Sequence, residues 1–289
     1  MSIILSSDDA APAIHIRSID LPSEMRAVES LQKDVWGCAD LDVVPLTMLI
    51  AAREVGAVLI GAYDGASLAG FVYGFPGYEN REVTHHSHML AVNRAYRNQD
   101  LGYRLKLAQR ERVLAQGINQ ITWTFDPLQS LNAHFNFAKL GVVADSYKEN
   151  FYGEATSSFL HQIGTDRLWV KWLLESERVR KRLKTESQAP LFEANTVRSL
   201  VRVEANLAPE RNASRDALRQ RSVTIEIPAD INSLQTANAD LAVEWRLATR
   251  WAFTEAMARS YRVEEFHRSM KQGQSIGTYV LQRGENPAG

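Results

Sequence analysis

The chain has almost no cysteine, since Cys38 is the single one among 289 residues. A lone cysteine excludes an internal disulfide framework and any zinc site built from several cysteines. A chain of this length buries enough apolar surface to fold without such links. The sequence therefore indicates an ordinary globular protein of one large or two modest domains.

Net charge and long apolar runs are also lacking. Lys and Arg total 33 against 34 Asp and Glu, so no overall field attracts nucleic acid or a membrane surface. No run approaches the roughly 18 apolar residues of a membrane span. The first residues carry two aspartates and no basic signal-peptide segment. We therefore expect a cytoplasmic protein with a small-molecule partner, without a nucleic-acid or membrane partner.

The pattern of residues divides the chain into three segments. Residues 1–12 resemble a disordered leader. A charge run with a basic excess at 175–185 marks a second boundary, and its simplest interpretation is a solvated helix end and linker. We place a first domain at residues 13–184 and a smaller α+β appendage at residues 185–289. The most regular helical pattern of the appendage runs over 241–261.

The first domain alternates short strand patterns with helical patterns. The apolar spacing predicts a strand, two helices and a hairpin at 13–19, 21–36, 45–52, 58–63 and 68–75. After residues 85–115, the pattern predicts a strand, a short helix and two strands at 120–125, 131–140, 142–147 and 167–172.

The stretch from His85 to Gly102 reads HHSHMLAVNRAYRNQDLG. An apolar run of strand length leads into a polar turn, and a long helix is predicted from Tyr103 to Ala115. The first N–H groups of a helix have no intrahelical partner, and the helix dipole adds about half a positive charge there. The turn is therefore a candidate anion site, with a phosphate-bearing cofactor as its natural occupant.

The turn and the order of the elements resemble the GNAT acyltransferase superfamily. Arg97-x-x-Asp100-x-Gly102 is similar to the family's pyrophosphate loop, although Asp100 stands where the family usually has Gly. The segments VYGFPG and ITWTFDPL are similar to a predicted-acetyltransferase subgroup. The resemblance implies an α/β fold, an α+β mixed sheet of GNAT type with a smaller C-terminal appendage.

The same resemblance implies acetyl-CoA or another acyl-CoA as co-substrate and a primary amine of a small molecule as acceptor. The strand before the loop is then expected to line the pantetheine arm through Met89, Leu90 and Val92. The pyrophosphate is expected at Arg97, Asn98, Gln99, Asp100, Leu101, Gly102 and Tyr103. Asn132 and Asn136, one turn apart on the predicted helix, either contact the pantetheine amides or serve as ordinary polar surface.

His88 is the candidate general base, because imidazole titrates near neutrality. His86 shares its face of the strand, whereas His85 points to the other face. A hydrogen-bonded structural histidine is the alternative, and no further ligand is spaced for a metal site. Glu82 is a second candidate base, acting through water.

The general acid is open, since Phe137 stands where many family members have a tyrosine. Tyr147 and Tyr152 are the nearest alternatives, and a thiolate with a pKa near 8.5 can also leave unprotonated. Arg167, Arg246 and Arg250 could each bind a substrate carboxylate or form an ordinary ion pair.

Three functions follow from these residues. The first is an N-acyltransferase working by direct attack in a ternary complex. The second is a succinyl-CoA-dependent amino acid N-succinyltransferase, suggested by the arginines. The third is a non-catalytic acyl-CoA-binding or regulatory protein, suggested by Asp100 and Phe137. The appendage could cover the acceptor site or pair two protomers as a homodimer.

Overall fold

The computed structural model describes residues 14–153, 163–184, 197–214 and 216–284. They form two compact units, Met1–Ile118 and Asn119–Gly289. The predicted leader and the predicted linker after residue 184 lie outside the described residues. The expected boundary at 184/185 lies inside the second unit and stays a prediction.

From residue 14 onward, where the structure describes it, the first unit has four strands and three α-helices. These are β1 His15–Ser18, α1 Pro22–Trp36, α2 Leu46–Glu54, β2 Val58–Asp64, β3 Ser67–Glu79, β4 Glu82–Val92 and α3 Leu101–Ala115. The strands lie in the order β1-β2-β3-β4, each antiparallel to the next. The predicted order of elements is thus confirmed in this unit.

Local chemistry explains the ends of α1. Pro22 occupies the first helical position, where its fixed φ and missing N–H are tolerated. The Glu24 carboxylate accepts hydrogen bonds from the N–H groups of Asp20 and Leu21 at 3.1 and 3.2 Å. Gly37 ends the helix in the left-handed region with φ of 65°.

The two faces of this sheet carry different helices. Phe71 and Tyr73 of β3 belong to a core cluster with residues of α1 and α2. An added Cβ on the alternate residues Gly70 and Gly74 would meet side chains of α3. Successive strand residues point to opposite faces, so α1 and α2 cover one face and α3 the other.

The buried stripe of α3 differs from the predicted one. The sequence favours Leu105, Leu107, Ala108, Arg112 and Leu114, but Arg112 is exposed and Leu107 only half-buried. The residues that the sheet buries are Leu101, Leu105, Lys106, Gln109 and Val113. Two of these are polar, which is why an apolar pattern misses the stripe.

A β-bulge interrupts the pairing of β3 with β4. Tyr73 is opposite Met89 and Gly74 is opposite Ser87, so His88 is the extra residue of β4. A bulge of this kind locally bends the strand and re-aims side chains, and bulges are frequent next to active sites.

The second unit is a longer mixed sheet. Its elements are β5 Gln120–Phe125, α4 Ser130–Ala133, β6 Val143–Lys148, β7 Arg167–Leu173, α5 Glu177–Lys184, β8 Arg198–Val203, β9 Pro209–Arg211, β10 Ser222–Pro228, α6 Ile231–Ala237, α7 Ala239–Met257, β11 Tyr261–Lys271 and β12 Gln274–Arg283. The strand order is β5-β7-β6-β11-β12-β10-β8-β9. The β8–β10 pair is parallel, and the other pairs described in this unit are antiparallel. The predicted α/β class with a mixed sheet is therefore confirmed.

Two predicted elements of this unit need correction. The helix expected over 131–140 is the short α4 followed by a π-helix at His134–Leu140. The helix expected over 241–261 ends at Met257, and Tyr261 already begins β11.

Among the described residues, no single helix has the length and apolarity to cross a membrane; α1 and the segment Asp40–Glu54 reach that threshold only jointly, as a pair bent by 116°.

Candidate functional site

The predicted anion loop has the backbone of an anion site. Asn98 and Asp100 lie in the left-handed region, with φ of 64° and 51°, a conformation that Asn and Asp tolerate better than most residues. The helix α3 begins directly after them at Leu101, and the Asp100 side chain does not cap it. Alternating turn conformations of this kind present successive N–H groups to an anion.

Gly102 lies in the first turn of α3, at a position where the fold itself does not require glycine. A Cβ added there would meet Leu90 at 3.7 Å and Val92 at 3.9 Å, which are ordinary contacts. Its φ is not positive, so the backbone does not require glycine either. A glycine that neither packing nor backbone demands suits close approach of a ligand.

The loop charges are mixed. Arg97 and Asp100 are both exposed. Arg104 is exposed as well, but its guanidinium donates to the carbonyl of Ile14 at 3.0 Å. Arg97 is therefore the cation best placed in the loop itself to balance Asp100 and a bound anion.

The strand β4 leads from the histidines to this loop. Leu90 and Val92 lie on the α3 face beside Gly102. Met89 lies on the other face and packs against the core under α1 and α2. Of the three residues expected to line pantetheine, Leu90 and Val92 thus have their side chains next to the loop, whereas the Met89 side chain does not.

His86 and His88 lie together on the face of α1 and α2, as the alternation predicts. Their ring centroids are 6.5 Å apart. The ring of Phe75 lies 5.8 Å from His86 and 5.9 Å from His88, and Tyr73 is 6.2 Å from His88. His88 is exposed and His86 is half-buried. Partial desolvation by these rings lowers the pKa of His88 below the usual 6.5, and burial lowers the pKa of His86 to about 4. Both imidazoles are neutral at pH 7, as a proton acceptor must be.

Glu82 lies apart from His88. It is exposed at the first position of β4, and in the strand register it lies opposite Glu79 of β3. Six residues separate it from His88, which is roughly 20 Å along a strand. The two candidate bases therefore cannot serve the same proton.

A buried polar cluster that the sequence did not indicate lies between β4 and α3. Lys106 donates to the Ser87 hydroxyl and to the Gln109 carbonyl oxygen, both at 2.9 Å. The Gln109 amide nitrogen lies 3.3 Å from Nε2 of His85. Gly74 makes room for it, since a Cβ there would be 2.4 Å from the His85 ring. Two sequence features could have indicated this cluster: a lysine within the predicted helix, Lys106, and a serine directly before His88.

In the second unit, two of the predicted substrate arginines already hold carboxylates of the chain. Arg246 forms a buried bidentate pair with Asp126, at 2.9 and 2.6 Å. Arg250 binds Asp166 through two hydrogen bonds of 2.9 Å and Glu149 at 2.6 Å. Of the two alternatives, this pairing favours ordinary ion pairs, because the fork geometry of both arginines is occupied. A role of either arginine toward a substrate stays a prediction.

Arg167 differs from these two. It is buried, donates to the main-chain carbonyl of Asp166 at 2.8 Å, and its guanidinium lies 5.1 Å from the ring centre of Tyr152. Burial lowers its pKa below the usual value. Its role toward a substrate stays a prediction.

The two candidate acids have different surroundings. The Tyr147 hydroxyl donates to Asp166 at 2.5 Å, and burial raises its pKa strongly, which makes it a poor proton donor to a thiolate. Tyr152 is exposed, and its hydroxyl lies 3.5 Å from that of Thr124. Of the two, Tyr152 keeps the more accessible proton.

Asn132 and Asn136 do not share one environment. Asn132 is exposed on α4, whereas Asn136 is buried in the π-helix. The wider turn of a π-helix alters the four-residue spacing that places two side chains on one face. Phe137 is fully buried against Phe125 and Tyr279, so it serves the core there.

No group of three or more His, Cys, Asp or Glu side chains arranged for a metal ion occurs among the described residues.

Comparisons by sequence find nothing: no protein-family model and no curated protein matches. The chain is similar to several solved structures. One is an acetyltransferase of the GNAT family from Desulfovibrio desulfuricans, with 15% identity, a TM-score of 0.46, and 56% of this chain and 99% of that chain covered. Another is the ribosomal-protein-S18-alanine N-acetyltransferase from Escherichia coli, with 11% identity, a TM-score of 0.45, and 62% and 99% covered. A third is the aminoglycoside 6'-N-acetyltransferase from Enterococcus faecium, with 18% identity, a TM-score of 0.42, and 56% and 98% covered. At these values the fold assignment rests on the strands and helices themselves.

Proposed function

We propose that this protein is a GNAT-type N-acyltransferase that transfers an acetyl or related acyl group from acyl-CoA to a primary amine of a small molecule. The observation that carries the proposal is the start of α3. Two residues in the left-handed region, Asn98 and Asp100, precede the N-terminus of this helix, and the N-cap side chain makes no capping hydrogen bond. Gly102 follows in the first turn, although neither packing nor backbone conformation requires a glycine there. The strand that feeds this loop carries a neutral histidine beside a bulge.

The residues present fit a CoA pyrophosphate. The N–H groups of the loop and first turn, from Asn98 to Gly102, would donate hydrogen bonds to its oxygens, and Arg97 would add a positive charge. Leu90 and Val92 would lie along pantetheine, where extended backbone offers hydrogen bonds. The exposed carboxylate of Asp100 opposes the anion, so we expect micromolar or weaker affinity rather than the tightest binding.

When bound, acyl-CoA supplies a thioester carbonyl carbon and a thiolate leaving group. An acceptor ammonium must lose a proton before its nitrogen can attack, and His88 takes that proton. The N–C bond then forms as the C–S bond breaks, and the nitrogen gives its second proton to water. The thiolate takes a proton from water, since a thiol pKa near 8.5 makes it a tolerable leaving group. Because the base is a histidine of lowered pKa, turnover should persist at mildly acidic pH.

The second candidate function is a non-catalytic acyl-CoA-binding protein. Asp100 at the loop and Phe137 in place of a tyrosine favour it. An amino acid acceptor or a succinyl donor has less support, because Arg246 and Arg250 are paired with Asp126 and Asp166. We also propose, from the sequence alone, that the acceptor is a small molecule and that the protein is cytoplasmic and forms a homodimer.

The test measures binding and turnover separately. At CoA a hundred times its dissociation constant, a native-state ligand adds about 2.7 kcal/mol, which raises the thermal midpoint by roughly 5 to 10 °C. Free CoA thiol is then followed after mixing protein, acetyl-CoA or succinyl-CoA, and a panel of primary amines. No midpoint shift at millimolar CoA contradicts both functions. A shift without thiol release with any amine favours the binding protein.

The matched variants are His88→Ala and His15→Ala, the latter an exposed histidine of β1. Loss of the base should reduce turnover by about 10²-fold or more, with the CoA-induced midpoint shift retained, whereas His15→Ala should behave as wild type. If His88→Ala keeps full turnover, His88 is not the base.

A further inference from the structure

Four polar side chains are enclosed between β4 and α3. Lys106 is 2% exposed, Ser87 6%, and Gln109 and His85 are 0% exposed. They lie on the face of the sheet opposite to His86 and His88. A lysine this deeply buried is rare, so its presence calls for a physical reason.

The bonds of the cluster converge on Ser87 and Gln109. The side-chain nitrogen of Lys106 donates to both at 2.9 Å, and the Ser87 hydroxyl donates to the Gln109 carbonyl oxygen at 2.9 Å. Both acceptors are uncharged, and burial lowers the pKa of Lys106 well below 10.5. Gln109 extends the chain of bonds to Nε2 of His85, at 3.3 Å.

An apolar side chain would fill the same space at lower desolvation cost. Replacing buried polar groups by apolar ones of similar volume is often neutral or stabilising. The stability of the fold therefore does not account for a lysine here. Local departures from a sound core are expected where a functional arrangement has to be held.

The cluster holds one particular piece of backbone. Ser87 comes directly before His88, the extra residue of the bulge, and it pairs with Gly74 on β3. His85 anchors the strand two residues earlier. Two of the three residues before the bulge are thus fixed from the α3 side, and their positions determine where His88 emerges on the other side.

A nucleophilic role for Ser87 does not fit this geometry. Its hydroxyl lies within 2.9 Å of both Lys106 and Gln109, inside the layer between helix and sheet. Even a single added carbon on the facing Gly74 would lie 2.9 Å from the Gln109 amide and 2.4 Å from the His85 ring. The space that an acyl group would need is filled.

We propose that Lys106 and Gln109 are positioning residues that hold β4 at the bulge through Ser87 and His85, and so set the place of His88 for proton transfer. The inference rests on the proposed function, and it assigns the buried cluster to the reaction without contact with either substrate. Misplacement of a reacting group by about 1 Å costs on the order of 10²-fold in rate.

The test compares Lys106→Met with Leu105→Met, which introduces the same side chain at the neighbouring buried position of α3. For Lys106→Met we expect kcat to fall at least about tenfold. The KM for acetyl-CoA and the CoA-induced midpoint shift should stay within about twofold, and the thermal midpoint without ligand should be unchanged or higher. Leu105→Met should keep kcat. Unchanged kcat in Lys106→Met, or parallel loss of kcat and CoA binding, overturns the proposal.

Two further measurements keep the outcome clear. Ser87→Ala removes the link without leaving a cavity, and combined with Lys106→Met it should lower kcat no more than Lys106→Met alone, because the residues act as one unit. The ring proton resonances of His88 in the NMR spectrum should move in Lys106→Met and not in Leu105→Met. This readout needs no activity, so it tests the positioning even if wild-type protein releases no thiol, a result that would contradict the proposed function alone. Unmoved His88 resonances overturn the positioning role.

Discussion

Gly74 of β3 lies against the buried cluster of His85 and Gln109, and there is no room at this position for a side chain. A Cβ there would lie 2.4 Å from the His85 ring and 2.6 Å from the main-chain oxygen of His86. The main-chain oxygen cannot move without breaking the pairing of the strands. Gly77, on the same strand, is different, since a Cβ there would meet Thr84 at an ordinary 3.6 Å.

We therefore expect Gly74→Ala to lower the free energy of unfolding by about 1–3 kcal/mol, the usual cost of overpacking a core. Gly77→Ala should change it by less than about 0.5 kcal/mol. Urea titrations of the two variants and the wild type measure both values. Equal midpoints for Gly74→Ala and Gly77→Ala would mean that β4 adjusts freely around the histidines.

Single residues also mark the limit of the sequence analysis. Asp100 stands where the resemblance expects Gly, and its φ of 51° is the left-handed conformation that glycine favours and Asp tolerates. Lys106 was not recognised, because a polar residue at a buried helical position looks like a solvated one when only hydropathy is read. For Arg246 and Arg250 the sequence leaves a substrate carboxylate and an ion pair both open, because their partners, Asp126 and Asp166, are far away in sequence.

At the scale of elements, α5 shows how a charge run can be part of the packing. The run at 175–185 was interpreted as a solvated helix end, but Arg178 and Arg182 of α5 both bind Glu265 of β11. Arg178 also donates to the carbonyl of Gly141 at 3.1 Å, and Arg182 to that of Ala138 at 3.2 Å. These carbonyls belong to the end of the π-helix, where cations are favourable. The basic face of α5 thus caps one element and binds another.

Glu265→Gln tests this arrangement. Two arginines lose their shared charge partner while most of the shape is kept, so we expect a loss of about 1–3 kcal/mol in the free energy of unfolding. Glu177→Gln is the control, because its pair with Lys181 is exposed and exposed ion pairs contribute little to stability. Chemical denaturation separates the two, and similar small losses would mean that α5 is held by other contacts.

Element boundaries were predictable where a local signal sets them. Pro22 and Gly37 delimit α1, and Gly141 ends the π-helix with φ of 73°. The π-helix itself was not predictable, since it depends on a change of hydrogen-bond pattern that the same residues could avoid. β11 was missed because the helical spacing of α7 runs on into Tyr261, and only pairing with β12 decides where the strand begins.

Across the whole molecule, the order of elements was predictable and the chemistry of the buried face was not. Hydropathy reports how much apolar surface each segment offers, and the strand and helix order of the first unit follows from it. Buried polar groups appear only when distant segments meet, as β4 and α3 do at Lys106. A buried titratable group such as Lys106 makes the free energy of unfolding of the whole protein depend on pH.

The dependence on pH can be worked out for Lys106. The folded-state pKa is lowered well below 10.5, so between that lowered value and 10.5 the unfolded chain binds a proton that the folded chain does not. Stability therefore rises with pH in this range, by up to about 1.4 kcal/mol per pH unit. His85 and His86, the titratable groups nearest to it, have pKa values of about 3 and 4 and stay neutral there.

We therefore expect wild type to gain stability relative to Lys106→Met as pH rises from 7 to 9.5, by at most about 1.4 kcal/mol per pH unit above the lowered pKa of Lys106. The comparison cancels every other group that titrates in both proteins, including Cys38, whose raised pKa acts in the opposite direction. Urea denaturation at five pH values across this range gives the difference directly. A difference that does not change with pH would mean that Lys106 keeps its proton in the folded protein, and that its site is more polar than its burial indicates.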